Sequence, residues 1–287
     1  MIINFFKNKI FNNFFKSYQD KKKFMIGNSH ILNFRKNYKN IKNLNEVDYK
    51  IFSQNGEDGI IDYLLFSLKI EKPKFVEIGV GDYSESNTRF IFERCSSEGL
   101  IIDSIDNFKE KVSKNVKLWR GDIQIIQKNI DTENILESLQ EYNFYENVDL
   151  FSLDIDGIDY WILKKLPKKF CKILVAEYNP YFGDKLKISV PNIKNFNRSK
   201  YHYSNLCFGA SLKSIIDLME EKGFIFVGSN IFKNNAFFVN IDFKQELSIE
   251  YPDKENLLSH VNANFRESRN KNNDLSYLSK SKIINEI

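Results

Sequence analysis

Cysteine is scarce. Cys95, Cys171 and Cys207 lie far apart and form no CxxC pair, which excludes a disulfide framework and a thiolate zinc site and fits a reducing cytoplasm. Long apolar runs are missing too: no window reaches the roughly 18 apolar residues that a membrane span needs. The start, MIINFFKNKIFNNFFK, is broken by Lys and Asn too often to be a signal-peptide core. Nor is there an excess of one charge. Lys+Arg number 42 against 38 Asp+Glu, a net +4 without the concentrated basic stripe of a nucleic-acid binder. Alanine occurs only four times while Asn and Lys abound, which reads as genome composition bias. What is present, 42% hydrophobic and 28% charged residues over 287 positions, excludes a disordered chain, a collagen and a multispan membrane protein. It allows one large α/β domain with additions, or two small ones.

Three segments emerge. Residues 1–45 are a basic, aromatic N-terminal extension in which Ile3, Phe6, Ile10 and Phe14 recur at helical spacing before the run Lys21–Lys23. Lys7 and Asn13 interrupt the apolar face, so packing on the domain, or homo-oligomer contact, is expected ahead of adsorption to the inner membrane face. Residues 46–242 alternate short apolar runs with helical stretches. KFVEI (74–78), GLIID (99–103), VKLW (116–119), VDLFSLD (148–154) and KILVAEY (172–178) are expected strands. After a loop of about 30 residues, long enough to be functional, a helix runs from Ala210 to a stop at Gly223. FIFVG (224–228) and NAFFVNI (235–241) then form a hairpin, expected to be the only antiparallel pairing. The expected fold is a Rossmann-like, doubly wound, mostly parallel seven-stranded sheet. Residues 243–287 are a polar tail expected to pack on the domain.

The strongest local signal is FVEIGVGDYSESNT, where a strand runs through Glu77 into Gly79, Gly81 and a helix entry. Such glycines let the backbone approach a ligand. The third glycine of a dinucleotide fingerprint is absent, which argues for a ligand lacking diphosphate. Asp103 ends the second strand, where a carboxylate can accept both ribose hydroxyls. Asp106 sits where a helix cap would. Gly121-Asp122 places another acid at an expected carboxyl end, facing an adenine edge or merely turning a loop. LDIDGIDYW supplies Asp154, Asp156 and Asp159, and AEYNP supplies Glu177 and Asn179. Carboxylates crowded in one crevice call for protonation, a basic partner or a hard cation such as Mg²⁺, although Asp156 and Asp159 also suit capping of the next helix. FSQNGEDGI places Gln54, Glu57 and Asp58 at a helix front, fit to cover a polar ligand or to favour the helix dipole. His202 is the histidine with an approach to the crevice, a candidate base beside Asp154.

These residues resemble the class I S-adenosylmethionine-dependent methyltransferases, more narrowly the FkbM-type and related bacterial enzymes of glycan and surface-polysaccharide modification. The resemblance rests on SQNGEDGI (53–60), FVEIGVGDYSESNT (75–88), SLDIDGIDYWI (152–162), VAEYNP (175–180), FGASLKSI (208–215) and NAFFV (235–239), with FRESRNKNNDLSYLS (265–279) similar to tails in the subgroup. It implies that Glu77, Gly79 and Gly81 hold the cofactor's methionine end, that Asp103 holds the ribose and Asp122 the adenine edge, that Gln54, Glu57 and Asn87 also bind the cofactor, and that Asp154 lies nearest the methyl group. By similarity to metal-dependent members such as catechol O-methyltransferase, Asp154, Glu177 and Asn179 would hold Mg²⁺. The amide here follows its acid by two positions instead of directly, which departs from that pattern.

The expected activity is therefore cytoplasmic O-methylation of a hydroxyl on a sugar or another capsule component, with Asp154 or His202 taking the proton. Two rivals stand beside it: a nicotinamide-dependent oxidoreductase on a similar sheet, and a non-catalytic membrane-surface adaptor using the basic N-terminus.

Overall fold

The computed structural model describes residues 2–262 and 268–276, and of residues 2–14 the backbone alone. In chain order the elements are α1 (Ile2–Phe34), α2 (Glu57–Ser67), β1 (Lys74–Ile78), α3 (Arg89–Cys95), β2 (Glu98–Asp103), α4 (Phe108–Asn115) and β3 (Asp122–Gln127). There follow α5 (Ile135–Glu141), β4 (Val148–Leu153), α6 (Asp159–Lys165), β5 (Cys171–Glu177), α7 (Arg198–Tyr201), α8 (Leu212–Glu221), β6 (Phe224–Ser229) and β7 (Asn235–Asn240). α9 (Leu258–Val261) and a two-stranded ribbon, β8 (Ser268–Arg269) with β9 (Leu275–Ser276), close the list. Short 3-10 turns at Arg35–Asn40 and Leu44–Val47 carry the chain from α1 to the domain.

The main sheet has seven strands in the order β3-β2-β1-β4-β5-β7-β6, with β1 through β5 parallel. Alternation along each strand sends side chains to two cores. From β1, Phe75 joins one core with α2, α3 and α4, while Val76 and Ile78 join the other with α5, α6 and α8. Burial on both faces is why these strands read as near-continuous apolar runs. α8 starts at Ser211, whose side chain accepts the Ser214 N–H, and ends before Gly223 at φ +84°.

Two expectations are corrected. The third strand is Asp122–Gln127 and not VKLW, since Leu118–Arg120 forms a 3-10 turn with no buried residue. The hairpin is present, but it is not the only antiparallel pairing: β7 lies between β5 and β6 and pairs antiparallel with both.

The N-terminal helix is tied to the domain. Asp20 pairs with Arg89 of α3 at 2.7 Å, Phe24 packs on Phe90 at 5.9 Å between ring centres, and Ile31 is buried with Ile51, Phe52 and Phe90. The side chains of Ile3, Phe6, Ile10 and Phe14 lie outside the described residues, as do 277–287 of the tail and part of the 265–279 stretch. No helix among the described residues is long and apolar enough to cross a membrane.

Candidate functional site

Because β1, β2 and β4 run parallel, their carboxyl ends open on one edge, and the chain switches direction of travel across the sheet at β1. Ligands of open α/β sheets bind at such a switch point. A cleft of about 600 Å³ lies there, lined by the Gly79–Asp82 turn, Asp103, Asp154 to Ile158, Gln54 and Asn195 to Asn197 of the long loop.

The turn after β1 is built around its two glycines. Gly79, at φ +84°, lies against β4: a β-carbon on it would stand 1.7 Å from the Asp154 carbonyl oxygen. Gly81, at φ +57°, is the opposite case, with nothing within 4 Å of an added β-carbon. Its N–H donates to Asp103 Oδ2 at 2.7 Å, and the Ile105 N–H donates to Asp103 Oδ1 at 3.0 Å. Strand β2 thus braces the turn of β1, and the backbone is laid bare to the cleft at Gly81.

Glu77, expected at the cofactor, is buried and does not line the cleft. Its carboxylate accepts from Ser86 Oγ, the Asn87 and Thr88 N–H groups and Thr88 Oγ1, and so folds the 79–88 loop. Burial pushes its pKa up, against the pull of these donors. Asn87 is likewise internal, donating to Ser152 Oγ at 3.0 Å. Glu57 is fully buried. It accepts from the Asn55 N–H and from the Asn230 and Asn235 side-chain amides, each at 2.8 Å, and fastens the Gln54 loop to the β6–β7 hairpin. Of that early motif only Gln54 reaches the cleft.

Asp122 is not at the ligand edge. It opens β3 opposite Glu98, the first residue of β2, at the amino end of the sheet. The misplaced third strand accounts for this. The residues that β3 does deliver to the cleft are Lys128, Asn129 and Asp131, which follow its true end and which the sequence reading passed over.

The acids after β4 and β5 do meet. Asp154, Asp156 and Glu177 bring carboxylate oxygens within 4.8 Å of one another. Asn179 does not join them. Its amide donates to the Leu206 and Phe208 carbonyls at 2.8 and 3.1 Å, and its Oδ1 accepts the Tyr181 N–H, so it organises the long loop. Asp156 takes the third position and is itself paired with Arg198 of α7. Asp159 is buried and accepts the Ile155 and Gly157 N–H groups, both at 2.9 Å, pinning the loop between β4 and α6. Burial raises its pKa to about 6 in spite of those donors. His202 does not line the cleft; its Nδ1 faces Ser204 Oγ at 2.7 Å and its ring lies on Tyr203.

The cleft lining carries six carboxylates, those of Asp82, Glu85, Asp103, Asp131, Asp154 and Asp156, and one lysine, Lys128; Arg198 pairs with Asp156 and Lys50 with Glu85 from outside the lining, which still leaves an excess of negative charge. It favours positive ligands.

No protein-family model and no curated protein matches the chain. Among solved structures it is similar to an O-methyltransferase family protein from Burkholderia thailandensis, at 12% identity and a TM-score of 0.38, over 64% of this chain and 59% of that one. It is also similar to the pyocyanin biosynthetic protein PhzM, at 15% identity and a TM-score of 0.35, over 62% of this chain and 53% of the other. The chain spans less than two thirds of the length of either. At such TM-scores the functional reading rests on the cleft itself.

Proposed function

We propose that the chain is an S-adenosylmethionine-dependent O-methyltransferase acting on a hydroxyl of a sugar or another capsule or surface-polysaccharide component. The observation that carries the reading is the Gly81 turn, braced by Asp103 and open to an acidic cleft at the switch point of the sheet. S-adenosylmethionine brings a sulfonium and an ammonium, which suit a lining with an excess of carboxylates. The diphosphate of a nicotinamide cofactor meets the wrong sign there.

The fit can be followed residue by residue. Both Asp103 oxygens hold one backbone N–H each, and a carboxylate oxygen has two lone pairs, so acceptor capacity is left for ribose hydroxyls. When bound, the cofactor supplies a methyl group on a positively charged sulfur. Asp154, at the end of β4 beside Gly79, is the group to take the acceptor's hydroxyl proton, a role for which His202 is badly placed. Phe196, between Asn195 and Asn197, adds an apolar surface to the cleft lining. The oxygens of Asp154, Asp156 and Glu177 are a hard donor set of the kind Mg²⁺ takes, and metal assistance belongs to this reading. Arg198 would then yield Asp156.

Calorimetry of the full chain with S-adenosylmethionine, its demethylated product and NAD tests the reading. Heat with either of the first two and none with NAD is expected, and the reverse sinks it. Transfer of labelled methyl to glycan acceptors, with and without a chelator, then tests acceptor class and metal.

A further inference from the structure

A second cleft, of about 760 Å³, lies between α1 on one side and α3, α4 and the 115–120 segment on the other. It shares Asp82 with the acidic cleft yet has the opposite charge, seven Lys and Arg against three acids. All three acids are already engaged. Asp20 holds Arg89 at 2.7 Å, and Glu93 holds Arg89 at 3.1 Å and Arg120 at 3.2 Å. Asp82 accepts the Ser84 hydroxyl and, at 2.9 Å, the Ser84 N–H. Burial raises the Asp82 pKa, but Ser84, Asn115 and nearby Lys16 outweigh it and leave the carboxyl below its ordinary value.

Lys114 is matched by Glu110 at 2.6 Å. Lys16 and Lys21 of α1, and Lys111 and Lys117 on the facing wall, are left with no carboxylate in ion-pair range among the described residues. Two lysines from each wall thus line one concavity. Its frame is fixed: Arg89 is 1% exposed, bonded to Asp20, Glu93 and the Ser84 and Asn115 carbonyls, and Arg120 lies 4.9 Å over the Phe24 ring. Lysines on one solvated helix face can splay apart. Lysines on two walls of one cleft set up a positive potential that attracts an anion, and concave walls concentrate that field.

We propose that this basic cleft binds a soluble diphosphate-bearing molecule, its phosphates between Lys16 and Lys21 on one wall and Lys111 and Lys117 on the other. Lysine serves phosphate as a point charge, and two pairs match a group with two phosphates. Phe24 and Val116 supply apolar surface for whatever the diphosphate carries. The site stands independently of the methyl-transfer reading, since none of the four lysines lines the acidic cleft.

The test is calorimetry of the full chain at about 0.15 M salt, where weak surface electrostatics are screened, with pyrophosphate, UDP and orthophosphate. Vesicles of phosphatidylcholine with phosphatidylglycerol are run in parallel. Pyrophosphate and UDP should bind, more tightly than orthophosphate. Lys111→Ala with Lys117→Ala should weaken both by roughly tenfold or more, the loss of charge-assisted contacts. Lys165→Ala with Lys168→Ala, exposed lysines outside the cleft, should leave both unchanged. Urea unfolding midpoints, measured on the same proteins, should not move, which shows the variants are folded. No binding of pyrophosphate or UDP, equal loss in the control pair, or binding to anionic vesicles alone overturns the proposal.

Discussion

Gly79 and Asp154 touch through their backbones: a β-carbon on Gly79 would stand 1.7 Å from the Asp154 carbonyl oxygen. Gly81, two residues on, faces open cleft. The two glycines should therefore fail differently. Gly79→Ala should cost about 3 kcal/mol or more of stability, since both the positive φ and the contact with β4 oppose a side chain. Gly81→Val should cost only about 1–2 kcal/mol and yet abolish binding of S-adenosylmethionine. Urea denaturation and calorimetry on both variants check this.

Asp103 and Asp122 offer a second contrast. Asp103→Ala removes the carboxylate that holds the Gly81 N–H and faces the cleft, and should weaken S-adenosylmethionine by about 10- to 100-fold. Asp122→Ala lies at the other end of the sheet and should leave that affinity unchanged. A titration of each variant decides the matter.

Asp154→Asn keeps the shape and removes the charge. Turnover on an identified acceptor should fall on the order of 100-fold or more, with cofactor affinity changed far less. If Mg²⁺ takes part, adding it back after chelation restores wild-type activity and not that of the variant. Steady-state rates beside binding constants separate the two effects.

His260 predicts a pH dependence of stability. Burial and, secondarily, Lys233 lower its pKa from 6.5 to about 4, while its Nδ1 lies 2.8 Å from Ser229 Oγ. The unfolded chain takes up a proton below about pH 6.5 that the folded chain resists. The His260 contribution to stability is thus whole above that pH and declines as pH falls towards 4, by at most about 3 kcal/mol. His260→Gln should flatten this part of the profile, as read from urea midpoints at pH 7, 5.5 and 4.5.

The parts of the fold legible in the sequence are those whose burial is two-sided. All six residues of β4 are buried and its apolar run is unmistakable. β3 is an edge strand of mixed exposure, and DIQIIQ is diluted by Gln124 and Gln127, so VKLW looked more strand-like. A strand placed at 116–119 puts Asp122 at a carboxyl end, whereas β3 begins at Asp122 and delivers Lys128 and Asp131 to the cleft. The placement of Gly81, Asp103 and Asp154 at the cleft could be read because each lies at or just after the carboxyl end of its own strand. Asn179 and Glu57 could not: their partners, at Leu206 to Phe208 and at Asn230 to Asn235, are supplied by distant segments that only the folded chain brings near. The basic cleft was equally hidden, since it exists only where Asp20 meets Arg89 across 69 positions.

The insertion of β7 between β5 and β6 bears on the order in which the molecule can be made. A ribosome delivers β6 before β7, yet β6 has no place on the sheet until β7 arrives to bridge it to β5. Until residue 240 has emerged, Ile173 to Glu177 present an unpaired apolar edge, the kind of surface on which nascent chains stick to one another. Asn230 and Asn235, which grip Glu57 and so position the Gln54 loop, come late as well. The acidic cleft is thus completed only after most of the polypeptide has been synthesised, and chains cut short before Asn235 should aggregate instead of folding in part.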